Sequence, residues 1–190
     1  MGLAIMIVGV GGQGTLLASR ILGNLLIGEG YDVKVSEVHG MSQRGGSVVT
    51  YVKYGEKVNS PIIDEGDADL ILAFEELEAY RHLPYLKKGG RIICNAQNID
   101  PMPVIIGAKQ YPSDIVSKII EKEIDLVSVD AAAMALQAGN IKTVNVVLLG
   151  VLSASMDIPE ESWQKALEAT VPPKALEVNK KAFQAGRNYR

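Results

Sequence analysis

Two stretches of the chain concentrate the residue types that could do chemistry. The first is Gly9-Val10-Gly11-Gly12-Gln13-Gly14, which follows an apolar run and opens an amphipathic one. This matches G-x-G-x-x-G between a strand and a helix. Glycines there allow a tight turn and close backbone approach, and the helix start offers N–H groups and partial positive charge to an anion. Glu37 ends the next strand-like run, where a ribose-binding acid would lie in a dinucleotide fold. A glycine turn that only packs helix on strand, or that binds another phosphate or a partner loop, is the competing reading.

The second stretch is His39-Gly40-Met41-Ser42-Gln43-Arg44-Gly45-Gly46. A dense polar and glycine loop after a strand lies where open α/β sheets bind ligands. Arg44 offers a planar fork suited to carboxylate or phosphate, and Ser42 and Gln43 add neutral donors and acceptors. A glycine-permissive turn with a solvated arginine would look the same. Glu75, Glu76 and Glu78 sit at a strand end and the first helical turn, where acids favour the helix dipole without further function. Of these, Glu75 is the one expected to face the crevice. Arg81, three residues after Glu78, is placed to pair with it, and His82 is expected at the surface. Asn95, just past a strand, is a further crevice candidate. Asn145 lies in an apolar helix and is expected to be a buried tie. Asp130 reads as a helix cap.

These residues need a scaffold. Strands are predicted from Leu3 to Val8, Tyr31 to Glu37, Ser47 to Tyr54, Leu70 to Phe74, Arg91 to Cys94 and Ile124 to Val129. Gly55-Glu56 reads as a hairpin turn before Lys57-Val58. Val104 to Ile106 and Lys109 to Tyr111 read as short strands. Helices are predicted from Thr15 to Ile27, Glu75 to Leu83, Ser113 (as cap) to about Lys122, Asp130 to Gly139, Thr143 to Met156, Pro159 to Thr170 and Lys174 to about Gln184. Strands alternating with helices imply an α/β fold: a three-layer Rossmann-like domain with a mostly parallel sheet and a helical C-terminal portion. Without internal repeat or linker, residues 1–190 are expected to form one domain.

Composition excludes much. The 190 residues are 47% hydrophobic and 22% charged, which excludes wholesale disorder. A net charge of −3 without a basic stripe argues against nucleic acid. No apolar run reaches the ~18 residues of a membrane span, and no secretory signal is read, so the cytoplasm is the expected compartment. One cysteine, Cys94, and two histidines, His39 and His82, cannot supply the roughly four ligands of an iron–sulfur cluster and show no zinc spacing. Cys94 reads as a buried small hydrophobe. Walker, thiamine diphosphate and nucleophile-elbow motifs are absent. The chain offers binding surfaces and no metal or catalytic group of its own.

The glycine turn Gly9 to Gly14, the run Glu37 to Gly46, Ala68-Asp69 with Glu75 to Arg81, Asn95, and Asn145 to Gly150 together resemble one family, the gamma-type subunit of 2-oxoacid:ferredoxin oxidoreductases. The match runs from about Ile5 to Ser153. Length and Asp100-Pro101-Met102-Pro103-Val104 resemble its indolepyruvate-type small beta subunit. The resemblance implies one subunit of an enzyme, inactive alone. That enzyme decarboxylates an arylpyruvate oxidatively with coenzyme A, giving an acyl-CoA, carbon dioxide and reduced ferredoxin. The large alpha subunit would carry thiamine diphosphate, magnesium and the iron–sulfur clusters, with no cofactor bound by this chain alone. The residues expected to shape a cofactor or substrate pocket are Gly9, Gly11, Gly12, Gln13, Gly14, Glu37, Ser42, Gln43, Arg44, Gly45, Gly46, Glu75 and Asn95. A free-standing NAD(P)-dependent oxidoreductase and a non-catalytic assembly module are the alternatives. The glycine turn and the Arg44 loop are expected side by side at one sheet edge, as a site for an anionic group.

Overall fold

The computed structural model describes residues 2–38 and 45–189. Ser42, Gln43 and Arg44, with His39 to Met41, lie outside the described residues. Six strands form one sheet: β1 (Leu3–Val10), β2 (Asp32–Val38), β3 (Ser47–Gly55), β4 (Ala68–Ala73), β5 (Leu86–Asn95) and β6 (Asp125–Val129), in the spatial order β2-β3-β1-β4-β5-β6. Pairings β1–β4, β4–β5 and β5–β6 are parallel. β3 runs antiparallel to both β1 and β2, so one reversed strand interrupts an otherwise parallel set.

Strand alternation explains the layers. Along β1, Ile5 and Ile7 point to one face and Ala4, Met6 and Val8 to the other. On the first face lie α1 (Thr15–Gly28), α5 (Ala131–Ala138), α6 (Val144–Ser153), α7 (Glu160–Thr170) and α8 (Pro173–Arg187). On the second lie α2 (Glu76–Arg81) and α4 (Ile115–Ile120). The short α3 (Met102–Ile105) belongs to a segment beyond the sheet's edge. Every residue of α6 from Asn145 to Ser153 is buried, because α8 packs on it from outside. That crossing is close: a Cβ on Gly186 would stand 2.0 Å from the Val147 carbonyl oxygen, and one on Gly150 2.2 Å from that of Phe183. The helical C-terminal portion is thus α6 covered by α8, with α7 packed against α1.

Several local expectations change. Residues 57–58 form no second hairpin strand, because Pro61 and the acidic turn 64–67 carry the chain away to β4. Val104 to Ile106 is not a strand. Pro101 and Pro103 sit at the start of a helical turn, where a missing N–H costs nothing, and α3 results. Lys109 to Tyr111 is irregular. Asp114, not Ser113, is the residue before α4. β5 extends back through Gly89-Gly90 to Leu86. His82 is buried, not at the surface. α2 ends at Arg81 and the chain turns sharply through Leu83–Tyr85, which folds the imidazole under, with Nδ1 2.9 Å from the Glu78 carbonyl oxygen. Cys94 is buried on β5, and burial pushes its thiol up.

Candidate functional site

The carboxyl ends of β1, β4, β5 and β6 share one sheet edge. α1 follows β1 on one face and α2 follows β4 on the other. A crevice therefore opens between the ends of β1 and β4, the position where open α/β sheets bind ligands. In this chain a side chain closes its floor. Gln13 accepts from the Val10 N–H at 2.7 Å and donates to the Phe74 carbonyl at 2.9 Å and to Gln97 Oε1 at 3.2 Å. Asn95, wholly buried, donates to the same Phe74 carbonyl at 3.2 Å and to Gln97 Oε1 at 3.1 Å, and accepts from Ala131 N at 3.2 Å. Gln13, Asn95 and Gln97 form one amide cluster that ties β1, β4, β5 and the start of α5.

The glycines fit this arrangement. A Cβ on Gly9 would stand 2.8 Å from Gln13 Oε1 and 2.9 Å from Phe74 Cβ. Gly12 and Gly14 have φ of 102° and 84°, backbone that side chains disfavour. Asn145 donates to the Gly14 carbonyl at 3.2 Å, the buried tie its position predicted. The Gly11 N–H donates to the Gly46 carbonyl at 2.9 Å, and Val10 pairs with Ser47. The described end of the polar loop, Gly45-Gly46, thus lies against the glycine turn, at the same sheet edge. The amides of Gly11 and Gln13 are spent on internal bonds. Gly14 caps α1 without a side-chain bond.

Glu37 stands elsewhere. β3 separates β2 from β1, so Glu37 is two strand spacings, about 10 Å, from the glycine strand. Its Oε1 accepts from Ser19 Oγ of α1 at 3.1 Å. The ribose-acid geometry of a dinucleotide fold requires adjacent first and second strands, and the inserted β3 removes that adjacency.

Two clefts flank the amide cluster. One, about 440 Å³, lies between Gly12–Gly14, Gln97, Ala132 and Ile141–Val144. The other, about 720 Å³, lies between Gly45–Ser47, α2 and the segment 99–112. Glu75 and Glu78 border the second. Glu75, 1% exposed, caps α2 by accepting from Glu78 N at 2.9 Å, and also accepts from Ile99 N at 3.0 Å and the Tyr111 hydroxyl at 2.5 Å. Burial and this bond to a carboxylate push the Tyr111 hydroxyl up. Glu78 accepts from Ser47 Oγ at 2.5 Å and from Arg81 Nε at 3.2 Å, the helical pair that spacing predicted. Burial, with Glu75 adjacent, raises the Glu76 carboxyl. Asp130 caps α5, accepting from Ala133 N at 2.9 Å.

Sequence reading missed Gln97, Ser47 and Tyr111 as members of this edge. Gln97 and Tyr111 lie in stretches without periodicity, and the signal that was available was the Asn-x-Gln spacing that begins on the last residue of β5. No group of three or more His, Cys, Asp or Glu that could hold a metal occurs among the described residues, and no helix there is long and apolar enough to cross a membrane.

Comparison with known proteins bears on these features together. A family model described as pyruvate ferredoxin/flavodoxin oxidoreductase matches residues 4–189. The chain is 47% identical over 187 residues to indolepyruvate oxidoreductase subunit IorB of Thermococcus kodakarensis, covering 96% of this chain and 93% of that protein. It is 38% identical over 190 residues to the IorB subunit of Methanothermobacter thermautotrophicus, covering 98% and 96%. In fold it resembles the gamma subunit of a keto/oxoacid ferredoxin oxidoreductase from Geobacter sulfurreducens (TM-score 0.72, 24% identity, 97% and 95% covered). It also resembles 30% of a chain of the 2-oxoglutarate:ferredoxin oxidoreductase of Magnetococcus marinus (TM-score 0.72, 19% identity, 98% of this chain covered). With a glycine turn locked to its neighbouring loop, a mostly parallel sheet and a match along nearly its whole length, the chain belongs to the pyruvate ferredoxin/flavodoxin oxidoreductase family.

Proposed function

We propose that this chain, a single domain of residues 1–190, is the small, cluster-free subunit of a cytoplasmic indolepyruvate-type 2-oxoacid:ferredoxin oxidoreductase. The overall reaction converts a 2-oxoacid, coenzyme A and two oxidised ferredoxins to an acyl-CoA, carbon dioxide, two reduced ferredoxins and a proton. The observation that carries the reading is the 47% and 38% identity to two IorB subunits along nearly the whole chain. It favours this role over a free-standing dinucleotide enzyme, and the β3 insertion points the same way.

Iron–sulfur clusters do not fit the residues of this chain: it has one cysteine where about four ligands are needed, and burial pushes that thiol up. The clusters, thiamine diphosphate and magnesium belong on this reading to a large alpha subunit, which passes electrons to ferredoxin. The thiamine group supplies the electron sink for decarboxylation when bound there. This chain's part is to complete the assembly and bind. Gly9, Gly11, Gly12, Gln13 and Gly14 with Gly45 and Gly46 shape an edge for an anionic group. Glu75 and Asn95 hold its walls, and Ser42, Gln43 and Arg44 add polar contacts. Glu37 braces α1.

The test is reconstitution. Purified alone, the chain should give no turnover of indolepyruvate with coenzyme A and methyl viologen. Adding the cognate large subunit should restore it. Turnover by the isolated chain, or an active large subunit that gains nothing from this one, would overturn the proposal. Replacing Arg44 with Ala in an intact complex should lower turnover without dissociating the subunits. Dissociation would reassign that loop to the interface.

A further inference from the structure

The segment from Ile99 to Pro112 forms the apolar wall of the 720 Å³ cleft, contributing Ile99, Pro101, Met102 and Val104 opposite Val10 and Leu77. Its backbone bonds are local: Val104 and Ile105 N–H donate to the Pro101 carbonyl, Ile106 to Met102 and Lys109 to Pro103. Its hydrogen bonds to the rest of the molecule run to the start of α2, where the Leu77 N–H reaches the Tyr111 hydroxyl and one carboxylate holds both ends of the segment. Glu75 accepts from Ile99 N at the front of the segment and from the Tyr111 hydroxyl at its back. The same carboxylate caps α2. A stretch of chain with both ends on one buried group, and internal bonds only between, moves as a unit when that group releases it.

The cleft's charges are divided by depth. Glu75 and Glu78 are 1% and 4% exposed and saturated with donors. The Arg81 side chain is 51% exposed, and Lys109 is exposed. Solvent and ligands therefore meet an apolar wall with cations at the rim. Met102 itself is 64% exposed, more than a residue serving only the core would be.

We infer that residues 99–111 are a flap over this cleft, that Glu75 is the positioning residue that latches it through Tyr111 and Ile99, and that the cleft takes an organic anion with an aryl or alkyl body. The apolar body lies against Met102, Val104 and Leu77, and the anionic end meets Arg81 and Lys109. This goes beyond the subunit assignment. The flap and the cleft are properties of the chain, and their test needs no turnover.

The probe is 8-anilinonaphthalene-1-sulfonate, an aryl anion whose fluorescence rises in apolar surroundings. The full-length chain should bind it saturably, and Met102→Asp, at an exposed position, should weaken binding at least tenfold. Tyr111→Phe removes the hydroxyl's bond to the Glu75 carboxylate and its bond with the Leu77 N–H, and the first alone is worth about tenfold or more in the latch equilibrium. It should raise hydrogen exchange of the amides from Val104 to Lys109 by about that factor, leave β5 and α6 unchanged, and weaken the probe severalfold. Glu75→Gln, which keeps an acceptor for the flap, should exchange less than Glu75→Ala. If Glu75→Ala does not fold, the Tyr111→Phe result still decides. No saturable probe binding, or binding indifferent to Met102→Asp, overturns the ligand class. Unchanged flap exchange in Tyr111→Phe, or exchange raised equally everywhere, overturns the latch.

Discussion

Gln13 offers the sharpest test of how this edge is held. Its side chain makes three hydrogen bonds at the end of β1, and Val10, whose N–H it accepts from, is 8% exposed. In Gln13→Ala, the Phe74 carbonyl keeps Asn95, so the main loss is the orphaned Val10 N–H, about 1–3 kcal/mol. Gln13→Glu behaves differently. It keeps an acceptor for Val10 but sets a carboxylate oxygen where the amide nitrogen was, facing two acceptors, the Phe74 carbonyl and Gln97 Oε1. Protonation turns that oxygen into a donor and restores the pattern. The folded state therefore raises this carboxyl above its ordinary value of about 4.3. A raised folded value means the native state binds more protons than the unfolded one, so stability falls as pH rises through that window. A shift of about two units would remove about 2.7 kcal/mol between pH ~4 and pH ~7. Urea unfolding of wild type, Gln13→Ala and Gln13→Glu at pH 4.5, 6 and 8 measures it. The Ala deficit should stay constant, and the Glu deficit should grow with pH. A Glu variant as stable as wild type at pH 8, or with a pH-independent deficit, would refute the account of the amide cluster.

Three further outcomes follow from packing and burial. Gly186→Ala should lower stability by about 1–3 kcal/mol or more, because its Cβ would meet the Val147 carbonyl at 2.0 Å and force α6 and α8 apart; the thermal midpoint reads this. Cys94 in the folded chain should resist thiol reagents, with stoichiometric labelling by 5,5′-dithiobis(2-nitrobenzoate) only after urea unfolding. Asn145→Ala should destabilise by about 1–2 kcal/mol through the lost bond to the Gly14 carbonyl, with turnover of the intact complex changing less than for Arg44→Ala.

How much of this could be read from residues depends on range. The strand–turn–helix at the start, the buried α6 and the Asp130 cap were legible because periodicity and cap chemistry are local signals. So was the meeting of the glycine turn with Gly45-Gly46, because topology places two strand ends at one edge. β3 between β1 and β2 was not legible. Its alternating burial reads equally well as a hairpin partner or an inserted strand, and only long-range pairing decides. The short-strand reading of 104–106 failed because β-branched residues favour strands, whereas two prolines and missing sheet partners favoured a helical turn. His82 failed because a histidine's exposure depends on where the next turn goes.

The same insertion explains why a dinucleotide-like motif serves another end. In a dinucleotide fold the glycine turn, the acid of the adjacent strand and an open crevice cooperate on one ligand. Here β3 moves the acid about 10 Å away, and Gln13, Asn95 and Gln97 fill the crevice floor with their own hydrogen bonds. Those amides could not serve a ligand without giving up internal partners, and each buried bond broken would weigh against binding. On the function proposed above, the space left for a ligand lies outward, in the two clefts beside the plug and at the rim made by Gly45-Gly46, Arg81 and Lys109. A rim is shallow, and it encloses a ligand only when another surface closes over it. An edge built this way suits a subunit that contributes one wall of a shared site more than an enzyme that must enclose its cofactor alone.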